Sequence, residues 1–200
     1  MLPLRLCVSV FTLFACVACA SPNQPEVTRQ STLPVTQWDH RPEAARWTQS
    51  TLTALNGHGA ALIDTVPKDI DAFCPGYEQA SDRDRAAFWT GLLSALAKYE
   101  STWRPDASGG GGAWIGLTQI DPRTARGYDC GAQTVAELKN GSQNLSCAVR
   151  IAAHQVARDE ALVSEDGSWR GMARDWAPFR SPEKRQSMAN WTSSQDYCAK

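Results

Sequence analysis

Two stretches of the sequence place apolar residues at the spacing of a helix that packs against a core. The first covers about 81–101, with apolar residues at Phe88, Leu92, Ala95, Leu96 and Tyr99. The second covers 144–162, and a shorter helix is predicted over 42–55, where proline stands in the first turn and glycine follows the end. Because no continuous strand pattern stands out, the sequence predicts a mainly α fold.

Short local signals mark the ends of the central helix. Ser81 followed by Asp84 has the form of a capping box, in which both side chains satisfy free backbone N–H groups at a helix start. Pro105 stops the helix at its other end. Glu100 therefore lies near the carboxyl end of this helix, directly after Tyr99.

Glu100 is the candidate for acid chemistry. A carboxyl group held partly out of water by apolar and aromatic neighbours has a raised pKa, because its charged form is disfavoured. Such a group can donate a proton near neutral pH, as a glycosidic general acid must. The position of Glu100 also fits a solvated glutamate at a helix end, so the residues that follow have to decide between the two interpretations.

Four consecutive glycines, residues 109–112, follow the helix between Trp103 and Trp114. Glycine bends at little cost and lets the backbone approach a ligand closely, so this segment fits either a groove loop or a mobile surface loop. The chain has eight tryptophans in 200 residues, and indole rings suit carbohydrate faces as well as cores. We assign Trp103 and Trp114 to a groove and the other tryptophans mostly to the core.

The segment 96–125 resembles the catalytic core of the soluble-lytic family of lysozyme-like lytic transglycosylases. Glu100-Ser101 stands where that family has its helix-ending Glu-Ser, and Gly-Leu-Thr-Gln-Ile at 116–120 is similar to its Gly-Leu-Met-Gln-Ile. Weaker similarities are Pro-Asp-Ala at 105–107, Asp-Pro-Arg-Thr-Ala at 121–125 and a helix that begins at Asn144.

The resemblance extends over residues 81–180. It implies a lysozyme-like α+β domain with the catalytic glutamate at a helix C-terminus and a short hairpin in the glycine-rich loop. It also implies that the substrate is peptidoglycan and that Ser108, Gln119 and the backbone around Thr118 hold the acetamido and hydroxyl groups of the sugar.

The same resemblance implies a reaction with a single glutamate and no cofactor. The acid protonates the β-1,4 bond between N-acetylmuramic acid and N-acetylglucosamine, and then removes the proton from the C6 hydroxyl of the muramic acid. The product is a 1,6-anhydromuramic end. Ordinary glycoside hydrolysis instead needs two carboxylates, for which the candidates are Asp106, Asp121 and Asp129, although each also fits a turn or cap residue.

The sequence departs from the family at two places. Thr118 stands where the family has methionine, so we expect a more polar groove wall there. The family's late Ala-Tyr-Asn-Ala-Gly segment, whose tyrosine leans toward the acid, is replaced by residues 172–180, where either Trp176 or Asp175 takes the aromatic position. Two alternatives therefore stay open: a hydrolytic, lysozyme-type muramidase and a noncatalytic peptidoglycan-binding lipoprotein.

Residues 1–20 have the pattern of an export signal, a short positive start before an apolar stretch. One interpretation is cleavage after Ala20 and release as a soluble periplasmic protein. The other is a lipoprotein signal, in which Cys16 or Cys19 is lipidated and anchors the protein in a membrane. The proline-containing, polar residues 21–37 predict a flexible linker, and residues 38–200 predict one catalytic domain.

The cysteines agree with export. Three of the seven lie in the signal, and the remaining four form an even set that an oxidising compartment would pair. Of the three connectivities we favour Cys130 with Cys147 and Cys74 with Cys198.

Other ligands are not expected. No Cys-x-x-Cys or close His-Cys spacing occurs, and His40, His58 and His154 are far apart in the sequence, so no metal is predicted. The net charge of −1 gives no basic surface for nucleic acid. The sequence does not indicate a protein partner.

Overall fold

The computed structural model describes residues 33–163 and 167–199. The predictions on the export signal, on Cys16 and Cys19, and on most of the 21–37 linker fall outside these residues. None of the helices in the described part is both long and apolar enough to cross a membrane. Near the start of this part, Thr36 is buried and the backbone N–H of Gln37 donates to Ser94 Oγ at 2.9 Å.

Within the described residues the fold is built from α-helices joined by short 3₁₀ turns. The helices are α1 (Ala44–Leu55), α2 (Ala60–Asp64), α3 (Asp82–Ser101), α4 (Pro122–Gly127), α5 (Val135–Leu138), α6 (Gly141–Asp159) and α7 (Pro182–Ser193). The 3₁₀ turns are Ile70–Ala72, Tyr77–Gln79, Gly110–Gly112, Gly171–Arg174, Ala177–Arg180 and Asp196–Cys198. The prediction of a mainly α fold is confirmed.

The central helix α3 lies in the core and contacts α1, α2 and α7. Its start is capped as predicted, because Ser81 Oγ accepts the backbone N–H of Asp84. Every residue from Ala86 to Ala97 is buried. Phe88 and Trp89 pack edge to face at 5.1 Å, and the Trp89 indole N–H donates to the carbonyl of Leu62, so burial of this large ring leaves no polar atom without a partner.

The helix predicted to begin at Asn144 begins three residues earlier, at Gly141. Asn140 is its N-cap, and the Asn140 side chain accepts the backbone N–H groups of Ser142 and Gln143. The helix start was therefore predicted at the wrong asparagine. Asn140 and Asn144 both lie at the start of the apolar pattern, and only the fold determines which of the two side chains caps the helix.

A two-stranded antiparallel hairpin follows α3, as the resemblance implied. Its strands are β1 (Ser108–Gly109) and β2 (Trp114–Ile115), with Ser108 paired to Ile115. The glycines between the strands adopt positive φ, at 55°, 68° and 97° for Gly110, Gly111 and Gly112, which is the region that favours glycine.

Both favoured disulfides are present. Cys130 and Cys147 link the loop after α4 to α6, with Cα atoms 5.2 Å apart. Cys74 and Cys198 link the segment before α3 to the carboxyl end of the chain, with Cα atoms 4.8 Å apart. The second bridge spans a sequence separation of 124 residues and so attaches the carboxyl end of the chain to the segment between α2 and α3.

Candidate active site

Glu100 is the second-last residue of α3, where the sequence places it. The chain then turns sharply, because both Thr102 and Trp103 adopt positive φ, 53° and 54°. This conformation is rare for residues with a side chain and rarest for a β-branched one. The backbone N–H groups of Thr102 and Trp103 donate to carbonyls of the last helical turn, at 3.1 and 3.2 Å. The end of α3 is therefore fixed by backbone bonds.

Ser101 connects the end of α3 to the turn formed by residues 116–119. Ser101 is 4% exposed, and its hydroxyl lies 2.9 Å from the carbonyl oxygen of Leu117 and 3.2 Å from that of Ala97. Because Ser101 follows Glu100 directly, this contact sets the distance between the candidate acid and the turn that carries Gln119.

Asn144 holds the same turn from the other side. Its amide nitrogen donates to the carbonyls of Ile115 and Leu138, at 2.9 and 3.0 Å. Its amide oxygen accepts the backbone N–H of Thr118 at 3.0 Å and the Thr118 hydroxyl at 2.7 Å. Gly116 makes this packing possible, since a Cβ there would lie 2.2 Å from the carbonyl oxygen of Leu138.

Thr118 therefore has a different environment from the one expected. The side chain is fully buried and its hydroxyl is used by Asn144, so it is not a polar wall of a groove. Its carbonyl accepts the indole N–H of Trp176 at 2.9 Å. Thr118 can therefore contribute to sugar binding only through the backbone conformation that these contacts maintain.

The carboxyl group of Glu100 is mostly out of water and has no hydrogen bond or ion pair with any of the described residues. Burial raises its pKa from 4.5 to about 7, and the positive charge of Lys184 opposes part of this rise. Desolvation without a compensating partner favours the protonated form. Glu100 can therefore hold a proton near neutral pH, which is the state that a general acid requires.

An open pocket of about 80 Å³ lies beside the hairpin and the 116–119 turn. Its lining includes two aromatic and two acidic side chains among eight residues: Trp114, Gln119, Ile120, Asp121, Thr124, Ile151, Asp175 and Trp176. Three of the candidate site residues, Trp114, Gln119 and Trp176, thus share one surface, and Glu100 is not among the residues that line it.

Trp114 presents its ring to solvent and is 54% exposed. The ring rests on the backbone of Gly110, where a Cβ would come within 2.7 Å of a ring atom. Gln119 adopts a φ of 52° and its amide nitrogen donates to the carbonyl of Gly116 at 2.9 Å. The Gln119 oxygen has no partner among the described residues, so it remains available to accept a hydrogen bond from a ligand.

Trp176 and Asp175 lie side by side at the pocket, and both positions that the sequence left open are therefore near the groove. Trp176 is 3% exposed and supports the turn through Thr118. Asp175 accepts a hydrogen bond from Gln155 at 2.5 Å, and Gln155 also donates to the Tyr128 hydroxyl at 2.6 Å. This network attaches the 172–180 segment to α6.

Trp103 and Ser108 differ in their surroundings. The Trp103 indole N–H donates to the carbonyl of Ser94 at 2.9 Å and its ring packs edge to face on His40 at 4.7 Å, so these contacts direct it toward α3. It is absent from the pocket described above. Ser108 is exposed on β1, and its hydroxyl has no partner among the described residues.

Of the three candidates for a second acid, only Asp121 lines the pocket. It caps α4 by accepting the backbone N–H of Arg123 at 2.7 Å and pairs with that guanidinium at 2.8 Å. These contacts hold the pKa of Asp121 below its usual value. Asp106 and Asp129 are exposed. The described residues contain no group of three or more His, Cys, Asp or Glu side chains that could hold a metal ion.

A helical domain with a partly buried glutamate at the end of its central helix and a short hairpin beside it has the lysozyme-like architecture. Residues 79–162 match the family described as "Transglycosylase SLT domain", so this part of the chain is similar to the SLT transglycosylases. The family predicted from the sequence is confirmed. That family acts on peptidoglycan, which supports glycan strands as the substrate class and implies an extracellular or periplasmic location, with which the disulfides agree.

Three solved structures of a protein titled Bd0314 DslA are similar to this chain. They are its wild-type form 2 and two mutants, in each of which glutamate is replaced by glutamine. Each is 28% identical, with a TM-score of 0.76, and the match covers 84% of this chain and 100% of the other. The comparison with curated proteins found no match.

Proposed function

We propose that this protein is a lytic transglycosylase that cleaves the β-1,4 bond between N-acetylmuramic acid and N-acetylglucosamine. Glu100 is the only catalytic acid and base in this proposal, and the product carries a 1,6-anhydromuramic end. The observation that supports it most directly is the carboxyl group of Glu100, whose burial raises its pKa to about 7, beside a turn fixed by Ser101 and Asn144.

Each step of the proposed reaction uses one protonation state of Glu100. The protonated carboxyl donates its proton to the bridging oxygen, and the bond from that oxygen to C1 of the muramic acid breaks while the substrate's acetamido oxygen supports the positive charge at C1. The Glu100 carboxylate then accepts the proton of the C6 hydroxyl as its oxygen bonds to C1. The glutamate ends protonated, so the cycle consumes no water, and a group with a pKa near the working pH serves both steps.

Positioning of the sugar is assigned to the exposed groups of the pocket and the hairpin. Trp114 offers a flat apolar ring, Gln119 offers a free amide oxygen and Ser108 offers a free hydroxyl. Trp176 keeps the turn in place from behind. Holding the reacting atoms in a reactive arrangement supplies a large part of the rate enhancement in such chemistry.

The hydrolytic, lysozyme-type alternative is favoured by one observation. Asp121 and Asp175 both line the pocket, and an ionised carboxylate there could activate a water molecule. Asp121, however, is engaged by Arg123, and Asp175 by Gln155. Both carboxylates already have structural partners, so we prefer the single-glutamate reaction.

We further propose that residues 1–20 direct export and that residues 21–37 connect the domain to its point of attachment, either a lipid on Cys16 or Cys19 or a free amino terminus after cleavage. Mass measurement of the mature protein from a bacterial membrane fraction distinguishes them. A lipidated cysteine at the amino terminus supports anchoring, and an unmodified terminus at Ser21 supports release.

Release of soluble fragments from purified peptidoglycan tests the enzymatic assignment. We expect turnover by the wild-type protein and by Glu78→Gln, an exposed control, and none by Glu100→Gln, which should still sediment with peptidoglycan. Binding by all three proteins without turnover by any would instead indicate a noncatalytic peptidoglycan-binding protein. Full turnover by Glu100→Gln would contradict the role of Glu100.

A further inference from the structure

Asp175 brings a carboxylate with one free oxygen to the pocket beside the hairpin. The residue is exposed and lines this pocket. Its Oδ2 accepts the side-chain amide N–H of Gln155 at 2.5 Å, whereas its Oδ1 has no hydrogen bond with any of the described residues. Asp121 lines the same pocket, but both of its carboxylate oxygens accept hydrogen bonds from Arg123. Asp175 is therefore the pocket carboxylate that has an oxygen available to a ligand.

Gln155 fixes the orientation of this carboxylate. It is 5% exposed, its amide oxygen accepts a hydrogen bond from the guanidinium of Arg158, and its amide nitrogen donates to Asp175 and to the Tyr128 hydroxyl. Because a guanidinium can only donate and an ionised carboxylate can only accept, the two ends of the amide cannot be exchanged. The amide nitrogen of Gln155 is therefore the group that faces Asp175.

The negative charge of Asp175 is not paired with a cation of the described residues. Arg158 and Arg174 both form ion pairs with Asp159 instead, at 2.9 and 2.6 Å. The hydrogen bond from the neutral amide of Gln155 leaves the second oxygen of the carboxylate unused. A carboxylate in this state is a strong acceptor for a hydrogen-bond donor of a ligand.

The other ligand-accessible groups of the pocket complement this acceptor. The amide nitrogen of Gln119 donates to the carbonyl of Gly116, so the free Gln119 oxygen is a second acceptor. Trp114, which is 54% exposed, supplies a flat apolar ring. A matching ligand therefore donates hydrogen bonds and has an apolar face, as a sugar ring with free hydroxyl groups does.

The two sugars that alternate along a peptidoglycan strand differ in the donors that they carry. N-acetylglucosamine has a hydroxyl group on C3. In N-acetylmuramic acid the same oxygen belongs to a lactyl ether and cannot donate. An ether oxygen facing Oδ1 of Asp175 would place one acceptor against another, and a polar group that loses water without gaining a partner is penalised. The pocket therefore suits N-acetylglucosamine better.

We propose that the pocket lined by Trp114, Gln119 and Asp175 is a subsite for an N-acetylglucosamine unit, and that Asp175 selects this sugar by accepting a hydroxyl hydrogen bond. The choice of sugars rests on the peptidoglycan substrate proposed above. Glu100 does not line the pocket, so this recognition adds to the contacts made at the candidate acid. Because the two sugars alternate, an N-acetylglucosamine unit held here determines which of the two kinds of bond can lie at Glu100.

The substitution Asp175→Asn reverses the polarity of the free position. The amide N–H of Gln155 needs an acceptor, so the new side chain has to turn its oxygen toward Gln155 and its NH₂ group toward the position of Oδ1. A donor then replaces an acceptor while the size of the side chain is kept. We expect the affinity for N-acetylglucosamine to fall about 10-fold and the affinity for the muramic sugar not to fall, so that the preference is lost.

NMR titration with the methyl β-glycosides of the two sugars measures this preference. The lactyl group is used as its neutral amide, so that the two ligands do not differ in charge. The indole N–H signal of Trp114, assigned by its absence from Trp114→Phe, reports on this pocket. The wild-type protein should bind the N-acetylglucosamine glycoside more tightly than the muramic one. Asp129→Asn, a change at an exposed aspartate outside the pocket, is the control and should keep this preference.

Equal affinity of the wild-type protein for both glycosides, or no response of the Trp114 signal to either, would overturn the proposal. An unchanged preference in Asp175→Asn would also overturn it, because a merely structural role of Asp175 would weaken both ligands equally and leave the ratio of their dissociation constants as it is. The glycosides contain no bond between two sugars. The result is therefore independent of the cleavage reaction, which fragment release from peptidoglycan tests separately.

Discussion

The hydroxyl of Ser101 lies 2.9 Å from the carbonyl oxygen of Leu117. This contact joins the end of α3, where Glu100 is located, to the turn that leads into Gln119. The two segments are separated by the hairpin in the sequence, so their relative position depends on a small number of buried bonds. Ser101 therefore fixes the position of the candidate acid relative to this turn.

Removing this hydroxyl should destabilise the protein and impair turnover together. In Ser101→Ala the buried carbonyl of Leu117 loses a donor, and a buried polar group without a partner costs about 1 to 3 kcal/mol. Urea unfolding measures the stability, and fragment release measures turnover. Ser108→Ala is the matched control: its exposed hydroxyl should affect turnover through the sugar and leave the free energy of unfolding unchanged. Wild-type stability in Ser101→Ala would contradict the contact.

Asn144→Asp should be more damaging than Ser101→Ala. The substitution replaces an amide nitrogen that donates to the carbonyls of Ile115 and Leu138 by an oxygen that cannot donate when ionised. We expect a loss of about 3 kcal/mol or more, since the carbonyl of Leu138 is left without a donor beside a buried charge, while the carbonyl of Ile115 keeps only the N–H of Ile120. Thermal unfolding checks this prediction. The neighbouring exposed substitution Gln143→Glu should leave the unfolding temperature nearly unchanged, and an equal effect of both would refute the explanation.

The ionised form of Glu100 should destabilise the folded protein at neutral and higher pH. Its pKa is about 7 in the folded protein against an ordinary 4.5, so the folded state holds a proton that the unfolded state has already released. The contribution of this group is fully present below pH about 4.5 and is lost as the pH rises to about 7. Glu100→Gln should therefore be more stable than the wild type at pH about 8, by about 3 kcal/mol.

Denaturant unfolding at several pH values measures that difference. At pH about 4, where the carboxyl is protonated in both states, wild type and Glu100→Gln should have nearly equal stability. Glu78→Gln, at an exposed site, should not reproduce the pH-dependent gain. A constant difference between wild type and Glu100→Gln at all pH values would show that the side chain is not desolvated as described.

Trp114→Ala should weaken substrate binding. The ring is exposed, rests on Gly110 and lines the pocket, and loss of an aromatic contact of this kind costs about 1 to 2 kcal/mol, or about 5-fold to 30-fold in KM. Steady-state rates on soluble glycan fragments measure the effect. Trp169, which is 43% exposed and lies outside this pocket, is the control. A similar rise in KM for Trp169→Ala would show that the effect is not specific to Trp114.

Much of the fold could be predicted because its signals are local. The Ser81 cap, the apolar spacing of α3 and the stop at Pro105 are each encoded within a few residues, and they place Glu100 at a helix end. The hairpin and the family followed from short motifs around the glycines. The two disulfides could be favoured from a small number of connectivities.

The contacts that hold the site residues in place could not be predicted, because they join residues that are distant in the sequence. Thr118 was expected at the groove, yet the side chains of Asn144 and Trp176 bury it. Trp103 was assigned to the groove from its place beside the glycines, but the left-handed turn after α3 directs it to Ser94 and His40.

The central claim is that Glu100 catalyses cleavage in which no water molecule is consumed. The most direct test is to digest purified peptidoglycan in water enriched in the heavy oxygen isotope and to measure the masses of the soluble fragments by mass spectrometry. We predict anhydro-ended fragments without the heavy isotope from the wild-type protein, and none from Glu100→Gln. Reducing ends that carry the heavy oxygen would contradict the claim and establish a hydrolytic muramidase.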